Sequence, residues 1–196
     1  MNIAVFASGN GSNFQAIADA VKEGRLKADI KLLVCDKPEA GVVERASQAG
    51  VPVFCFRPKS YENKAAFEKE IVEELESRQV EIIALAGYMR LIGDTLLHAF
   101  DRRIVNIHPS LLPAFQGKDA IGQAWKAGVK VTGVTIHWVD AGIDTGEIIA
   151  QQPIDIKESD SLRSLTAAIQ AEEHRLYPDT LQRLTSSISR RESEKI

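Results

Sequence analysis

A chain of 196 residues is long enough for one well-buried domain. Its formal net charge of -3, with lysines and arginines scattered and not striped, argues against a nucleic-acid backbone as the main partner. No window reaches the roughly 18 apolar residues of a membrane span, and the opening MNIAVFASG lacks a basic leader, so a cytoplasmic protein acting on small molecules is expected.

Short apolar runs then alternate with helical patterns. The strand candidates are NIAVFA at 2–7, IKLLVC at 30–35, PVFCF at 52–56, EIIALAG at 81–87, RIVNI at 103–107, VTGVTIHWV at 131–139 and EIIAQQPIDI at 147–156. Alternation of this kind predicts a single α/β domain, with a mostly parallel sheet covered by helices on both faces. The last two candidates are separated by DAGIDTG, too short for a crossover helix, which predicts an antiparallel pair at one edge. Between strands, Phe67, Ile71, Val72 and Leu75 define a helix over 60–78 behind a Ser60 cap. Leu162, Leu165, Ile169, Leu176 and Leu181 define another from Ser161 to about Leu184. The domain is therefore expected over 1–184, followed by a flexible polar tail at 185–196. Cys35 and Cys55 each end a strand and have no CxxC spacing, which fits core filling in a reduced compartment.

Three stretches carry chemistry. In FASGNGSNFQAI a strand leads through Gly9, Gly11, Ser12 and Asn13 into a helix, where open backbone and unpaired N–H groups suit a phosphate. A tight turn without a ligand would use the same glycines. The dinucleotide pattern is incomplete, because Phe14 stands where its third glycine belongs, and no GK[ST] follows. Asp36, at the end of the second strand, is a candidate ribose ligand. In RIVNIHPSLLPAFQGKDA, Asn106 and His108 share one parity, so both project from the same side as the chain leaves its strand. Strand C-termini line the ligand crevice of an open α/β sheet, which makes this pair a candidate site, with Gln116 and Gly117 in a loop able to cover it. In VTIHWVDAGIDTGE, Thr135 and His137 share a strand face, and Asp140 and Asp144 follow in the loop. A carboxylate meeting His108 would orient the ring, and a solvated loop carboxylate is the alternative. A metal site of His108, His137 and Asp144 lacks HxH or HExxH spacing, so none is expected.

FASGNGSN, AGYMRLI, VNIHPSLLPAFQG, GVTIHWVDAGIDTG and EEHRLYP, in that order over nearly the whole chain, resemble the phosphoribosylglycinamide formyltransferases, the folate-dependent GAR transformylases of purine synthesis. The resemblance implies a Rossmann-like formyltransferase fold, two small-molecule substrates (phosphoribosylglycinamide and 10-formyltetrahydrofolate), no metal and no nucleic acid, with a homodimer left open. By position it makes His108 the general acid/base, Asn106 the donor to the formyl oxygen and Asp144 the partner of His108. Gly11, Ser12 and Asn13 would hold the acceptor's phosphate and Glu173 its glycinamide end. Met89, Arg90, Leu91 and Ile92 would line the folate pocket, with Asn106, and the loop bearing Asp140 would close over the pterin. Lys64 stands where the family often has Arg, which keeps the charge for a folate contact but loses the fork. The loop AFQGKDAI departs from the usual basic-aromatic version.

That implied chemistry is direct transfer. The acceptor amine attacks the formyl carbon, charge develops on oxygen and a proton must move, which an amide donor and an imidazole can serve. No serine or cysteine is placed as a nucleophile. The rivals are methionyl-tRNA formyltransferase, expected to carry an extra C-terminal domain and a basic surface, and a formyltetrahydrofolate hydrolase, expected to add an N-terminal domain. A nucleotide- or folate-binding module without catalysis would keep the glycine loop but would not need Asn106, His108 and Asp144 together.

Overall fold

The first strand shows how the chain builds its layers. In β1 (Asn2–Ala7) every second residue faces the same way, so Ile3, Val5 and Ala7 enter one apolar cluster and Ala4 and Phe6 the other. A strand buried on both faces needs cover on both, and the helices supply it. The structure, a computed structural model, describes residues 1–193, with side chains described to Ser186.

The elements follow in the order β1, α1 (Ser12–Lys22), β2 (Asp29–Cys35), α2 (Gly41–Gln48), β3 (Val53–Cys55), α3 (Lys64–Ser77), β4 (Ile82–Leu85), α4 (Asp94–Ala99), β5 (Ile104–His108), α5 (Ala120–Ala127), β6 (Val131–Trp138), β7 (Ile148–Asp155) and α6 (Leu162–Ser193). The sheet order is β3-β2-β1-β4-β5-β6-β7. β1 to β5 run parallel, and β6 pairs antiparallel with both β5 and β7. This is the expected doubly wound sheet with its antiparallel edge. Strand order reverses between β1 and β4, so the crevice opens at their C-terminal ends.

One cluster packs Phe14 and Ile17 of α1, Val42 and Ala46 of α2, and Leu165, Ile169, Tyr177 and Leu181 of α6 against the sheet. The opposite cluster packs Phe67, Ile71 and Leu75 of α3 and Leu96 of α4. Each buried Leu, Ile or Phe in these layers contributes about 1.5–3 kcal/mol of transfer free energy.

Three expectations need correction. Ser60 does not cap α3: it closes a 3-10 turn at Pro58–Ser60, and Asn63 Oδ1 accepts the Ala66 N–H at 2.9 Å. β5 extends one residue further than the apolar pattern indicates, so His108 belongs to the strand. α6 does not stop at Leu184 but continues to Ser193, so the region expected as tail is helical that far; its remainder, 194–196, lies outside the described residues. Ser161 does cap α6, its Oγ accepting the Ser164 N–H at 3.1 Å.

Candidate active site

The glycine loop joins β1 to α1. Gly11 has φ +79, a left-handed conformation that a side chain disfavours, and α1 begins with no side-chain cap and no acidic residue in its first turn. The first N–H groups of the helix are left for another acceptor. Gly11 also has a packing reason that sequence could not give: a Cβ there would lie 2.5 Å from Val42 Cγ2. α2 braces the loop further. The Val42 N–H donates to the Gly9 carbonyl at 3.1 Å and Arg45 Nε to the Asn10 carbonyl at 2.7 Å.

Asn13 faces α6, where its Nδ2 donates to Glu173 Oε2 at 3.2 Å. Burial pushes the Glu173 carboxyl up to about 7, against the lowering effect of that bond. Asn13 Oδ1 is buried without a protein partner, as a group awaiting a ligand donor would be.

At the other side of the crevice, strand register brings the polar residues of β5 and β6 together. Asn106 stands opposite His137 and His108 opposite Thr135. Asn106 Nδ2 lies 3.2 Å from His137 Nε2 and 3.5 Å from Asp144 Oδ1. His137 Nδ1 lies 2.8 Å from the Trp138 carbonyl, which assigns the ring proton there and leaves Nε2 to accept from the amide.

Asp144 is the hub. Its backbone is left-handed (φ +53), and its Oδ2 lies 3.4 Å from His108 Nδ1 and accepts the Gly117 N–H at 2.8 Å. Its Oδ1 lies 3.6 Å from His137 Nε2. Burial alone would raise this carboxyl. The Gly117 N–H and the neighbouring His137 and His108 rings outweigh it, and the group sits below its ordinary value. His108 is buried, and its Nε2 lies 2.8 Å from the Phe115 carbonyl. Both ring nitrogens therefore face acceptors, an arrangement that a doubly protonated ring satisfies.

Asn106, His137, Asp140 and Asp144 line a cleft of about 110 Å³ with Tyr88, Arg90, Leu91, Ile92 and Val139. His108 is not in its lining, and its Nε2 is held by the Phe115 carbonyl. Met89 lies beside the cleft, 66% exposed, its N–H donating to Ser8 Oγ at 2.9 Å. Leu91 is 60% exposed at the rim. Asp140 Oδ1 accepts from Gly142 N at 3.0 Å and Thr145 Oγ1 at 2.7 Å, so it ties its own loop. Lys64 stands outside the lining, 3.9 Å from Glu68, whose carboxylate holds the Gly93 N–H at 2.7 Å. Asp36 Oδ2 accepts from Arg90 Nε at 2.7 Å, while its Oδ1 is buried without a hydrogen-bond partner. Among the described residues no group of three or more His, Cys, Asp or Glu is placed to hold a metal ion. A wider groove of about 460 Å³ between α1 and α2 is lined by none of the converging residues.

The sequence model of the formyl transferase family matches residues 1–181. The chain belongs to the formyl transferase family. Its similarity to phosphoribosylglycinamide formyltransferase of Bacillus subtilis (strain 168) is 60% identity over 181 residues, 92% of this chain and 93% of that protein. The crystal structure of phosphoribosylglycinamide formyltransferase from Bacillus halodurans superposes with a TM-score of 0.92 at 55% identity, covering 95% of this chain and 96% of that one. The human trifunctional purine biosynthetic protein adenosine-3 is 36% identical over 94% of this chain, which spans 18% of that protein.

In this formyl transferase several contributors escaped the sequence reading. Ser8 holds the cleft segment from the glycine-loop side, through Met89 and through its own N–H to the Gly87 carbonyl at 3.1 Å. Glu68 fixes the turn after Ile92 from α3, buried within the opposite layer. No local pattern marks either, since each partner is remote in the chain. Among the described residues no helix is long and apolar enough to cross a membrane.

Proposed function

We infer that this chain transfers the formyl group of 10-formyltetrahydrofolate to the amine of 5-phosphoribosylglycinamide, in the cytoplasmic synthesis of purines. The observation that carries the reading is the contact group of Asn106, Asp144 and His108 at the end of β5, with an uncapped helix N-terminus across the crevice. Family membership and the names of the similar proteins support the reaction class.

The residues fit both substrates. The exposed apolar side chains of Met89, Leu91 and Ile143 and the cleft beneath them suit a flat aromatic donor. The folate supplies the formyl group. The first turn of α1 suits the acceptor's phosphate, and Glu173 with the unpartnered Asn13 Oδ1 suits its amine and hydroxyl groups.

His137 Nε2 accepts one Asn106 N–H and orients the amide, and the second N–H, which faces Asp144 Oδ1 at 3.5 Å, is the one offered to a developing oxyanion. His108 carries the proton. Its Nε2–H rests on the Phe115 carbonyl, and displacement of that carbonyl frees the N–H to act at the reacting centre while Asp144 retains Nδ1. No step requires a covalent enzyme intermediate. A formyl-transfer assay with and without phosphoribosylglycinamide tests the reading: acceptor-dependent loss of the formyl folate is expected. Hydrolysis at the same rate without acceptor would instead indicate a hydrolase.

A further inference from the structure

Tyr177 is fully buried on α6, within the apolar cluster, and its hydroxyl lies 2.9 Å from the Leu85 carbonyl and 3.0 Å from the Val105 carbonyl. A phenol has one proton to donate, so the two carbonyls share it. Leu85 is the last residue of β4, in register with Asn106 of β5, and Val105 immediately precedes Asn106. The Val105 carbonyl is part of the peptide unit whose nitrogen belongs to Asn106. The hydroxyl thus grips the backbone directly behind the amide that orients on His137 and Asp144.

One helical turn earlier on α6, Glu173 holds Asn13 at 3.2 Å. A single turn therefore touches the first turn of α1 on the acceptor side through residue 173 and the Asn106 peptide through residue 177. We propose that Tyr177 is a positioning residue for formyl transfer: its buried hydroxyl, hydrogen-bonded to the Leu85 and Val105 carbonyls, sets where Asn106 stands relative to the acceptor site. This rests on the formyl-transfer reading above. Small displacements of a donor aimed at a developing charge are costly in rate while ground-state binding changes little.

The test is steady-state kinetics on Tyr177→Phe, which keeps the ring and removes only the donor, in the wild-type and Asn106→Ala backgrounds. Expected is a drop in kcat of roughly tenfold to a hundredfold, with KM for both substrates changed less than about twofold. In the Asn106→Ala background the same change should lower kcat by less than about twofold, because its target is gone. Incorporating 4-aminophenylalanine at position 177, an isosteric donor with two N–H groups, should restore turnover in the Asn106 protein and provides the comparison should Tyr177→Phe not fold. Equal losses in both backgrounds, a kcat within about twofold of wild type in Tyr177→Phe, or no rescue by the amine would overturn the proposal. Absence of transfer in the wild type would sink the parent reading instead, so the two failures are distinct.

Discussion

Asp144 Oδ2 approaches His108 Nδ1 at 3.4 Å while the same oxygen holds the Gly117 N–H at 2.8 Å. The carboxylate thus orients the ring and latches the loop whose Phe115 carbonyl takes the other ring nitrogen. Asp144→Asn keeps the size but offers an N–H or a neutral oxygen to groups that want a charge. Turnover should fall by roughly 10²–10⁴-fold, the range of other carboxylate–histidine pairs. Because the wild-type carboxyl lies below its ordinary value, its ionised form persists as pH falls. Any acid limb of turnover caused by Asp144 should therefore lie below the ordinary carboxylate range, and should vanish in Asp144→Asn. A variant with unchanged turnover would return Asp144 to the role of a loop anchor.

Asn106→Ala removes the amide donor and leaves His137 Nε2 without its partner. For a lost oxyanion donor kcat should drop on the order of 10²–10³-fold, with folate KM nearly unchanged. His137→Ala removes only the acceptor that orients the amide, so its loss should be smaller than that of Asn106→Ala. Steady-state kinetics on both variants, with both substrates saturating, decides the order. A larger effect at His137 would mean that the ring itself reaches the substrate.

The fold class was legible because apolar period and element length were enough to separate strands from helices, and the short DAGIDTG loop fixed the antiparallel edge. The shared side of Asn106 and His108 was legible for the same reason, since strand parity is local. The partner of His108 was not: choosing Asp144 over Asp140 depended on the resemblance, and only the loop's path shows that Asp140 ties its own turn. Asp36 looked like a free ligand because its partner Arg90 is 54 residues away. The packing reason for Gly11 was not legible, because its clash with Val42 belongs to helix packing. Polarity after Leu184 concealed the continuation of α6, because TSSISRRES has no apolar period to mark a helical stripe.

That packing changes how the glycine loop must be probed. Gly11→Ala forces a Cβ to 2.5 Å from Val42 at a left-handed backbone, so it should lower thermal stability and weaken everything together. Gly9 has open space around its Cβ direction. Gly9→Glu should therefore fold, yet place a negative charge beside the proposed phosphate. Unfolding temperature should stay close to wild type while KM for phosphoribosylglycinamide rises about tenfold or more, from roughly 1.4 kcal/mol of repulsion. KM for the folate should not change. An equal rise for both substrates would remove the loop from acceptor binding.

Glu173 makes a prediction about stability and pH whose sign follows from its burial. Its carboxyl is raised from 4.5 to about 7, so the folded protein binds a proton there more tightly than the unfolded chain does. Stability associated with the protonated acid is complete below the ordinary value, and is lost as pH rises through about 7. Above that pH the folded protein carries a buried carboxylate with the Asn13 amide as its hydrogen-bond donor. Glu173→Gln cannot ionise and can still accept the Asn13 bond through its amide oxygen. The variant should match wild type in denaturant unfolding near about pH 4 and exceed it near about pH 8, by at most roughly 3 kcal/mol. The same variant should bind phosphoribosylglycinamide more weakly if the ionised carboxylate meets the acceptor's amine, with folate binding unchanged. Two measurements therefore separate the roles: urea titrations at the two pH values, and calorimetric titration of each substrate. A stability difference that is flat with pH would mean that Glu173 ionises in the folded protein as readily as in the unfolded chain, so that its burial does not hold the proton. Unchanged acceptor affinity alongside a pH-dependent difference would leave it as a brace between α1 and α6.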